Sequence, residues 1–165
     1  MGKLDWIRDL VRAEQQLEEA DMVDFSFGFD FEKVLVEETI AFMEKLKEAF
    51  VDYSVAFNQM KGVPLGNIKI YGIANTRADF MLFRNGMKLV FAAKRPGVIA
   101  VSFHHQKGLL PGAAANPENL GTQEDLIEAQ WGAFNELVWT YKKVRLNVDN
   151  MVRYYLTNFI RESAK

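Results

Sequence analysis

The residues best suited to metal binding are His104 and His105, which are the only histidines in the chain. Neighbouring residues of a strand point to opposite faces of a sheet, so this pair cannot readily chelate one metal ion. The sequence has no cysteine and no HExxH or HxH motif that would supply further ligands. We therefore predict no metal site, and we expect one of the two histidines to be packed in the core or at a sheet edge.

A serine hydrolase set could be assembled from Ser102, His104 and Asp79. Nucleophilic serines usually lie on a strand-to-helix turn beside an oxyanion hole, and the sequence around Ser102 has no such motif. Asp79 has alternative partners in Arg77 and Lys88. The glycines form neither a GxGxxG nor a GxxxxGK[ST] phosphate-binding loop. These observations favour a protein that is not an enzyme and has no cofactor.

Positive charge is concentrated in the middle of the chain. Residues 61–107 hold 8 Lys/Arg and one acidic residue, whereas residues 1–60 hold 6 Lys/Arg and 14 Asp/Glu. A basic segment attracts phosphates or anionic lipid, which makes four of its residues candidates for binding an anion or another ligand: Arg84, Lys88, Lys94 and Arg95. The alternative, which we favour, is that the acidic helices neutralise this segment within the fold or a dimer.

The overall composition is that of a folded protein. Of the 165 residues, 49% are apolar and 25% are charged, which fits one α+β domain over residues 1–165. No apolar run reaches the roughly 18–20 residues of a membrane span, and the N-terminal sequence MGKLDWIRDL does not resemble a secretory signal. We therefore expect a cytoplasmic protein.

Two helices are predicted in the first 60 residues. Residues 3–21 carry a narrow apolar stripe, and residues 31–60 carry a broader one that Asp30 could cap and that Gly62 and Pro64 would end. Between them, Val or Phe alternates with other residues over positions 23–31. This alternation predicts a strand with an aromatic face; an extended docking segment is the alternative, because Gly28 weakens a strand interior.

Residues 67–105 predict a meander of four antiparallel strands. Asn85-Gly86 suits a type I′ turn, which would place Leu82 opposite Leu89 and Phe80 opposite Phe91. Both faces of this sheet are substantially apolar, so both need covering by helices or a second subunit. The faces of the last strand, residues 98–105, stay open because a one-residue shift would exchange them.

The C-terminal part predicts one long helix. Residues 106–121 have no periodic pattern and read as a loop, whereas apolar residues from Ile127 to Phe159 recur in steps of three and four. This predicts a helix over residues 122–161, about 60 Å long. Such a helix would either bend or project from the domain. If it projects, its stripe needs another chain, and we predict interface roles for Trp131, Phe134, Val138, Tyr141, Val148, Val152 and Tyr155.

The predicted fold is therefore an α+β domain with a four-stranded, or five-stranded, antiparallel sheet packed by long helices. The leading function is a protein-interaction module, such as an adaptor, chaperone or regulatory subunit, that forms a homodimer or binds a protein partner. The alternative is a protein that binds a small or lipid-like ligand in an aromatic pocket with a basic rim. A third candidate is contact with an anionic membrane or nucleic acid, and the pI of 5.8 argues against nucleic acid.

Overall fold

A computed structural model of the chain describes residues 2–21, 30–105 and 124–164. The chain divides into two compact units, Met1–Val34 and Leu35–Lys165. The elements in chain order are α1 (Asp5–Ala20), α2 (Phe31–Lys61), β1 (Lys69–Gly72), β2 (Phe80–Arg84), β3 (Met87–Arg95), β4 (Val98–His105), β5 (Asp125–Trp131), a short 3-10 turn (Ala133–Asn135), β6 (Leu137–Tyr141), β7 (Val144–Arg145) and α3 (Val148–Ser163). The predicted α+β class is confirmed, but the sheet has seven strands instead of four or five.

Helix α1 confirms the helix predicted over residues 3–21. It ends at Asp21, whose left-handed backbone (φ 54°) lets its N–H donate to the Glu18 carbonyl. None of its residues is buried, and the apolar side chains of Leu4, Ile7 and Val11 are exposed to solvent. Their spacing of three and four places them on one face of the helix.

Helix α2 confirms the second predicted helix. The N–H of Lys33 donates to Asp30 Oδ1 (3.2 Å), so Asp30 caps the helix as expected. The helix ends at Lys61, and Gly62 adopts a positive φ of 77°, which costs glycine little because it has no Cβ. Phe42, Leu46 and Phe50 are buried, and their spacing of four residues forms the stripe that faces the core.

The sheet is an antiparallel meander in which each strand pairs with the next in sequence, from β1 to β7. Asn85 and Gly86 have positive φ angles of 51° and 80°, as a type I′ turn requires. The register that follows pairs Leu82 with Leu89 and Phe80 with Phe91. The predicted meander of residues 67–105 is thus confirmed, and so is the predicted register between β2 and β3.

The core of the second unit lies between one face of the sheet and helices α2 and α3. Phe80 and Phe91 stack with ring centroids 4.9 Å apart, and Phe50 from α2 lies 4.9 Å from Phe91. Each of these buried rings stabilises the fold by roughly 2–3 kcal/mol through burial. On β4, Ile99 and Val101 are buried in this core, which shows that the odd-numbered residues face the helices.

The predicted helix over residues 122–161 is wrong in its first half. Residues 125–145 form β5, β6 and β7, and α3 covers only Val148–Ser163. Steps of four residues also keep side chains on one side of a strand, because four is an even number. The run Leu137–Tyr141 is rich in aromatic and β-branched residues, which favour strands. Lys142 and Lys143 have positive φ angles of 49° and 68°, which breaks any continuous helix.

Two predictions concern residues that the structure does not describe. The strand or docking segment over positions 23–31 lies almost wholly outside the described residues, as does the loop at 106–121. Within the parts of the chain that are described, no helix has the length and apolar character needed to cross a membrane.

Candidate functional site

The seven residues predicted for a helical interface lie on several elements. Trp131 ends β5, Phe134 lies in the 3-10 turn, Val138 and Tyr141 lie on β6, and Val148, Val152 and Tyr155 lie on α3. They do not form one stripe, because the long helix on which they were placed does not exist. Val152 and Tyr155 are 1% and 4% exposed and belong to the core of the second unit.

Ser102 and His104 do contact each other. Ser102 Oγ lies 2.9 Å from His104 Nε2 on β4, since residues two apart share a face of a strand. Asp79, however, accepts a hydrogen bond from the backbone N–H of Ala93 on β3 (2.9 Å). This carboxylate therefore bonds to the backbone of the sheet and not to His104. The two-residue contact therefore lacks the acid of a hydrolase triad. Among residues 2–21, 30–105 and 124–164, no three His, Asp or Glu side chains cluster as a metal site.

Two of the four candidate anion-binding residues, Arg84 and Lys94, have side-chain partners within the fold. Arg84 is buried, and its guanidinium donates to the Gly66 carbonyl (2.7 Å), the Ile160 carbonyl (3.1 Å) and Ser163 Oγ (3.1 Å). Lys94 forms an ion pair with Glu124, and Lys88 lies opposite His104 in the β3–β4 ladder. The fourth residue, Arg95, lines a cavity.

This arginine cavity has a volume of about 360 Å³ and lies between α2, the β1–β2 connection and the β3–β4 turn. Its surface is mostly apolar and is formed by Val36, Ile40, Met43, Ala78, Ala93 and Pro96. Arg77 and Arg95 also line it, and both side chains are exposed. Within the described parts of the chain, neither guanidinium forms an ion pair.

A buried threonine fixes the wall of the arginine cavity. Thr39 Oγ1 donates to the Leu35 carbonyl in α2 (2.6 Å) and accepts from the N–H of Gly97 (2.8 Å). Gly97 has a φ of 83°, and a Cβ on it would lie 3.1 Å from Leu35 Cδ1. These contacts hold the β3–β4 turn, and therefore Arg95, against the helix.

The β1–β2 connection is also internally bonded. Its ends are joined by a hydrogen bond from the Ile73 N–H to the Asp79 carbonyl (2.9 Å), and Thr76 Oγ1 donates to the Ile73 carbonyl (2.7 Å). Asn75 adopts a positive φ of 64°, a conformation that asparagine tolerates well. The turn thus presents Arg77 at the cavity from a defined backbone.

A second cavity, of about 630 Å³, is bordered by β5, β6 and α3. We call it the tyrosine cavity because Tyr141, Tyr154 and Tyr155 all line it. Asp125 contributes its carboxylate: Oδ2 accepts from the Tyr155 hydroxyl at 2.8 Å, and Oδ1 accepts from the Tyr141 hydroxyl at 3.4 Å. The remaining lining is largely apolar, with Ile127 at the core side.

The Tyr155 hydroxyl remains a proton donor at ordinary pH. Burial raises the pKa of Tyr155 well above its usual value, and the hydrogen bond and negative charge of Asp125 raise it further. A buried phenolate beside a carboxylate would place two negative charges in contact, which is strongly unfavourable. Among the residues that line the tyrosine cavity, Asp125 is the one acidic side chain and Arg145 the one basic side chain.

Sequence reasoning missed both cavities as assembled sites. It favoured Arg95 as a candidate but not Arg77, and the helix predicted over residues 122–161 placed Asp125 near a helix start instead of on a strand. Asp125 precedes the alternation of β5, where Ile127 is buried and Glu128 exposed, and this short alternation is the signal that could have indicated a strand.

Comparison with known proteins does not assign the chain to a family. No family model matches it, and neither the curated proteins nor the solved structures include a match.

Proposed function

We propose that the protein binds a small amphipathic anion, such as a medium-chain carboxylate, in the arginine cavity. The observation that carries this proposal is the combination of an apolar lining with two guanidinium groups that have no ionic partner among the described residues. Small-molecule sites are typically concave and apolar, with a few polar groups that fix orientation. The volume of about 360 Å³ lies toward the small end of such sites.

The charges around the cavity favour an anion over a neutral ligand. Arg77 and Arg95 contribute two positive charges, and Asp79 contributes the one negative charge of the lining. Asp79 is already bonded to the Ala93 N–H, which stabilises its charge without removing it. The excess positive charge at the mouth suits a carboxylate, which a guanidinium binds through two parallel hydrogen bonds.

The experiment compares three ligands of the same chain length: octanoate, octanol and octylamine. We expect octanoate to bind most tightly by isothermal titration calorimetry, because only octanoate pairs with the arginines. The double variant Arg77→Ala/Arg95→Ala should weaken octanoate binding about 10–100-fold, the loss expected for charge-assisted hydrogen bonds.

The matched control is Lys94→Ala, which removes one positive charge next to Arg95 but outside the cavity lining. This variant should change octanoate affinity less than about threefold, as expected for a screened surface charge. Equal binding of octanoate and octanol, or no binding of octanoate, would refute the proposal.

A second candidate, the protein-interaction module, is favoured by the hairpin between β5 and β6. Phe134 lies at its tip with its side chain fully exposed, in a left-handed backbone conformation (φ 54°, ψ 37°). A bulky residue rarely adopts this conformation, and strained residues cluster at functional sites. An exposed aromatic ring on a turn is a typical anchor for a protein partner, including a second copy of the chain.

Native mass spectrometry distinguishes this second candidate. Association through the hairpin predicts a dimer, or a complex with a co-purified protein, that the variant Phe134→Ser lowers by at least tenfold in affinity. Val144→Ser, which replaces another exposed apolar residue on β7, is the control. A complex that survives Phe134→Ser unchanged would exclude the hairpin as its anchor.

A further inference from the structure

Helix α1 (Asp5–Ala20) has an apolar face, yet none of its residues is buried. Trp6 is 62% exposed, and Ile7 and Val11, which lie one helical turn apart, are 40% and 47% exposed. A surface helix normally turns its apolar face toward a core. An apolar stripe that stays exposed indicates contact with another molecule.

The charges of α1 are divided between its two ends. Residues 2–12 include three basic and two acidic residues, whereas residues 13–21 include four acidic residues and no basic one. The acidic end coincides with the negative end of the helix dipole, and this combination destabilises a helix that stands alone. Positive charge beside the C-terminal half would therefore stabilise α1.

The described part of the chain does not supply that positive charge. The ion pair within α1 joins Arg8 Nη1 to Asp5 Oδ1 (3.8 Å), and these side chains are 68% and 44% exposed. Within residues 2–21, 30–105 and 124–164, the acidic side chains of the C-terminal half form no ion pair. The charges of both halves of α1 are thus available to a second chain.

A second copy of α1 has the charge distribution that fits. In an antiparallel pair, the N-terminal half of each helix, with Lys3, Arg8 and Arg12, lies against the acidic C-terminal half of the other. The positive end of each helix dipole then lies beside the glutamates of the other helix. In a parallel pair, the acidic residues of one helix would face those of the other, which is unfavourable. A two-fold axis makes the favourable contact twice.

We infer that α1 forms a dimer contact, in which two copies of the chain pair their α1 helices in an antiparallel orientation. The apolar face lies between the two helices, and the opposite charges of their ends fix the orientation. The residues of this face are Leu4, Trp6, Ile7, Leu10, Val11 and Leu17. The inference is independent of the anion proposed for the arginine cavity, since no residue of α1 lines that cavity.

Sedimentation equilibrium of the full chain measures the contact. The variant Ile7→Gln/Val11→Gln removes two exposed apolar side chains and leaves the buried core intact, so it should raise the dimer Kd at least about tenfold. The control Leu65→Ser replaces an apolar residue outside α1 that is 86% exposed, and it should change the Kd less than about twofold. A wild-type chain that is monomeric at about 100 μM, or a dimer whose Kd the α1 variant leaves unchanged, would overturn the inference.

A charge reversal tests the pairing of the two halves. Arg8→Glu/Arg12→Glu makes the N-terminal half of α1 acidic and should raise the Kd at least about tenfold, because acidic halves would then face each other. The matched control Lys69→Glu/Arg77→Glu changes the net charge of the chain by the same amount at exposed positions outside α1. It should raise the Kd less than about threefold. Equal weakening by the two variants would show that net charge sets the affinity, and the pairing of α1 would be wrong.

Disulfide formation tests the orientation, because the chain has no cysteine of its own. The single variants Ile7→Cys and Leu17→Cys each place one thiol in a different half of the apolar face. When the two variants are mixed and oxidised, an antiparallel pair brings position 7 of one chain near position 17 of the other. We expect the mixed disulfide to exceed each disulfide between identical variants at least about fivefold, since a disulfide has a short reach. A predominance of disulfides between identical variants would indicate a parallel pair and refute the antiparallel contact.

Discussion

The hydroxyl of Tyr155 donates a 2.8 Å hydrogen bond to Asp125 and so joins α3 to the first residue of β5. The ring of Tyr155 also packs edge-on against Phe91 (6.0 Å, 87°) and lies 6.4 Å from Phe103. One side chain thus contributes both to the aromatic core and to the polar centre of the tyrosine cavity. The packing of α3 on the sheet is therefore coupled to the ionisation of Tyr155, because the same side chain contributes to both.

This coupling predicts a dependence of stability on alkaline pH. The pKa of Tyr155 is raised in the folded protein, whereas an unfolded tyrosine titrates near pH 10. Above about pH 10 the unfolded chain releases this proton and the folded chain retains it, so the free energy of unfolding falls as pH rises. For one proton, the free energy of unfolding can fall by at most about 1.4 kcal/mol per pH unit.

Urea unfolding of the wild type and Tyr155→Phe at pH 8 to 11 measures this effect. The variant loses a hydrogen bond to a charged group, so we expect it to be less stable by about 1–3 kcal/mol at pH 8. The difference should shrink above pH 10, because the variant has no proton to release at this site. Parallel pH profiles of the two proteins would show that Tyr155 titrates normally in the folded state.

A second prediction concerns Arg84, whose role is structural. Its guanidinium bonds to Gly66, Ile160 and Ser163 and lies 5.2 Å from the ring centroid of Phe57. Arg84→Met keeps much of the volume but removes these bonds, and we expect it to lower the free energy of unfolding by about 2–4 kcal/mol.

The control for this prediction is Arg77→Met, since Arg77 is exposed and its replacement should change stability by less than about 0.5 kcal/mol. Chemical denaturation of both variants gives the comparison. If Arg84→Met is as stable as the control but no longer binds octanoate, the structural role is wrong and Arg84 binds the ligand instead.

A third prediction tests the wall of the arginine cavity. Thr39→Val removes the hydroxyl that accepts from the buried Gly97 N–H, so we expect a loss of about 1–3 kcal/mol in unfolding free energy. Thr39→Ser retains the hydroxyl and should cost less, since it removes only a methyl group. Thermal and urea unfolding compare the two variants. If Thr39→Ser is destabilised more than Thr39→Val, the methyl group, and not the hydrogen bond, holds the turn.

The sequence predicted those elements whose signals are local. Asn85-Gly86 defines its own turn, and Asp30 and Gly62 bound α2, so neither depends on the rest of the chain. The helix predicted over residues 122–161 failed because Ile127 and Trp131 are four residues apart, a spacing that fits one face of a helix and one face of a strand equally well. Only the pairing of β5 with β4 and β6 decides between these alternatives.

The candidate sites depend on contacts between distant parts of the chain. The basic segment around Arg84 predicts a surface cation, yet its partners Ile160 and Ser163 lie more than 70 residues further along the chain. Asp125 meets Tyr155 across 30 residues. Residue type and local spacing carry no information on such contacts. The sequence suggested an aromatic pocket with a basic rim, whereas the described residues that line the arginine cavity include no aromatic side chain.

The final prediction separates strain from function at the β5–β6 hairpin. Phe134 has a positive φ that is unfavourable for a residue with a Cβ, and its exposed ring packs little against the fold. Phe134→Gly should therefore raise the free energy of unfolding by about 0.5–1 kcal/mol, since glycine adopts this conformation readily. Val138→Gly, in the adjoining strand, is the control and should destabilise the protein. If Phe134→Gly is more stable by urea unfolding and also weakens self-association or partner binding in native mass spectrometry, the strain is retained for recognition. If it lowers stability, the ring supports the hairpin, and the case for Phe134 as an anchor fails.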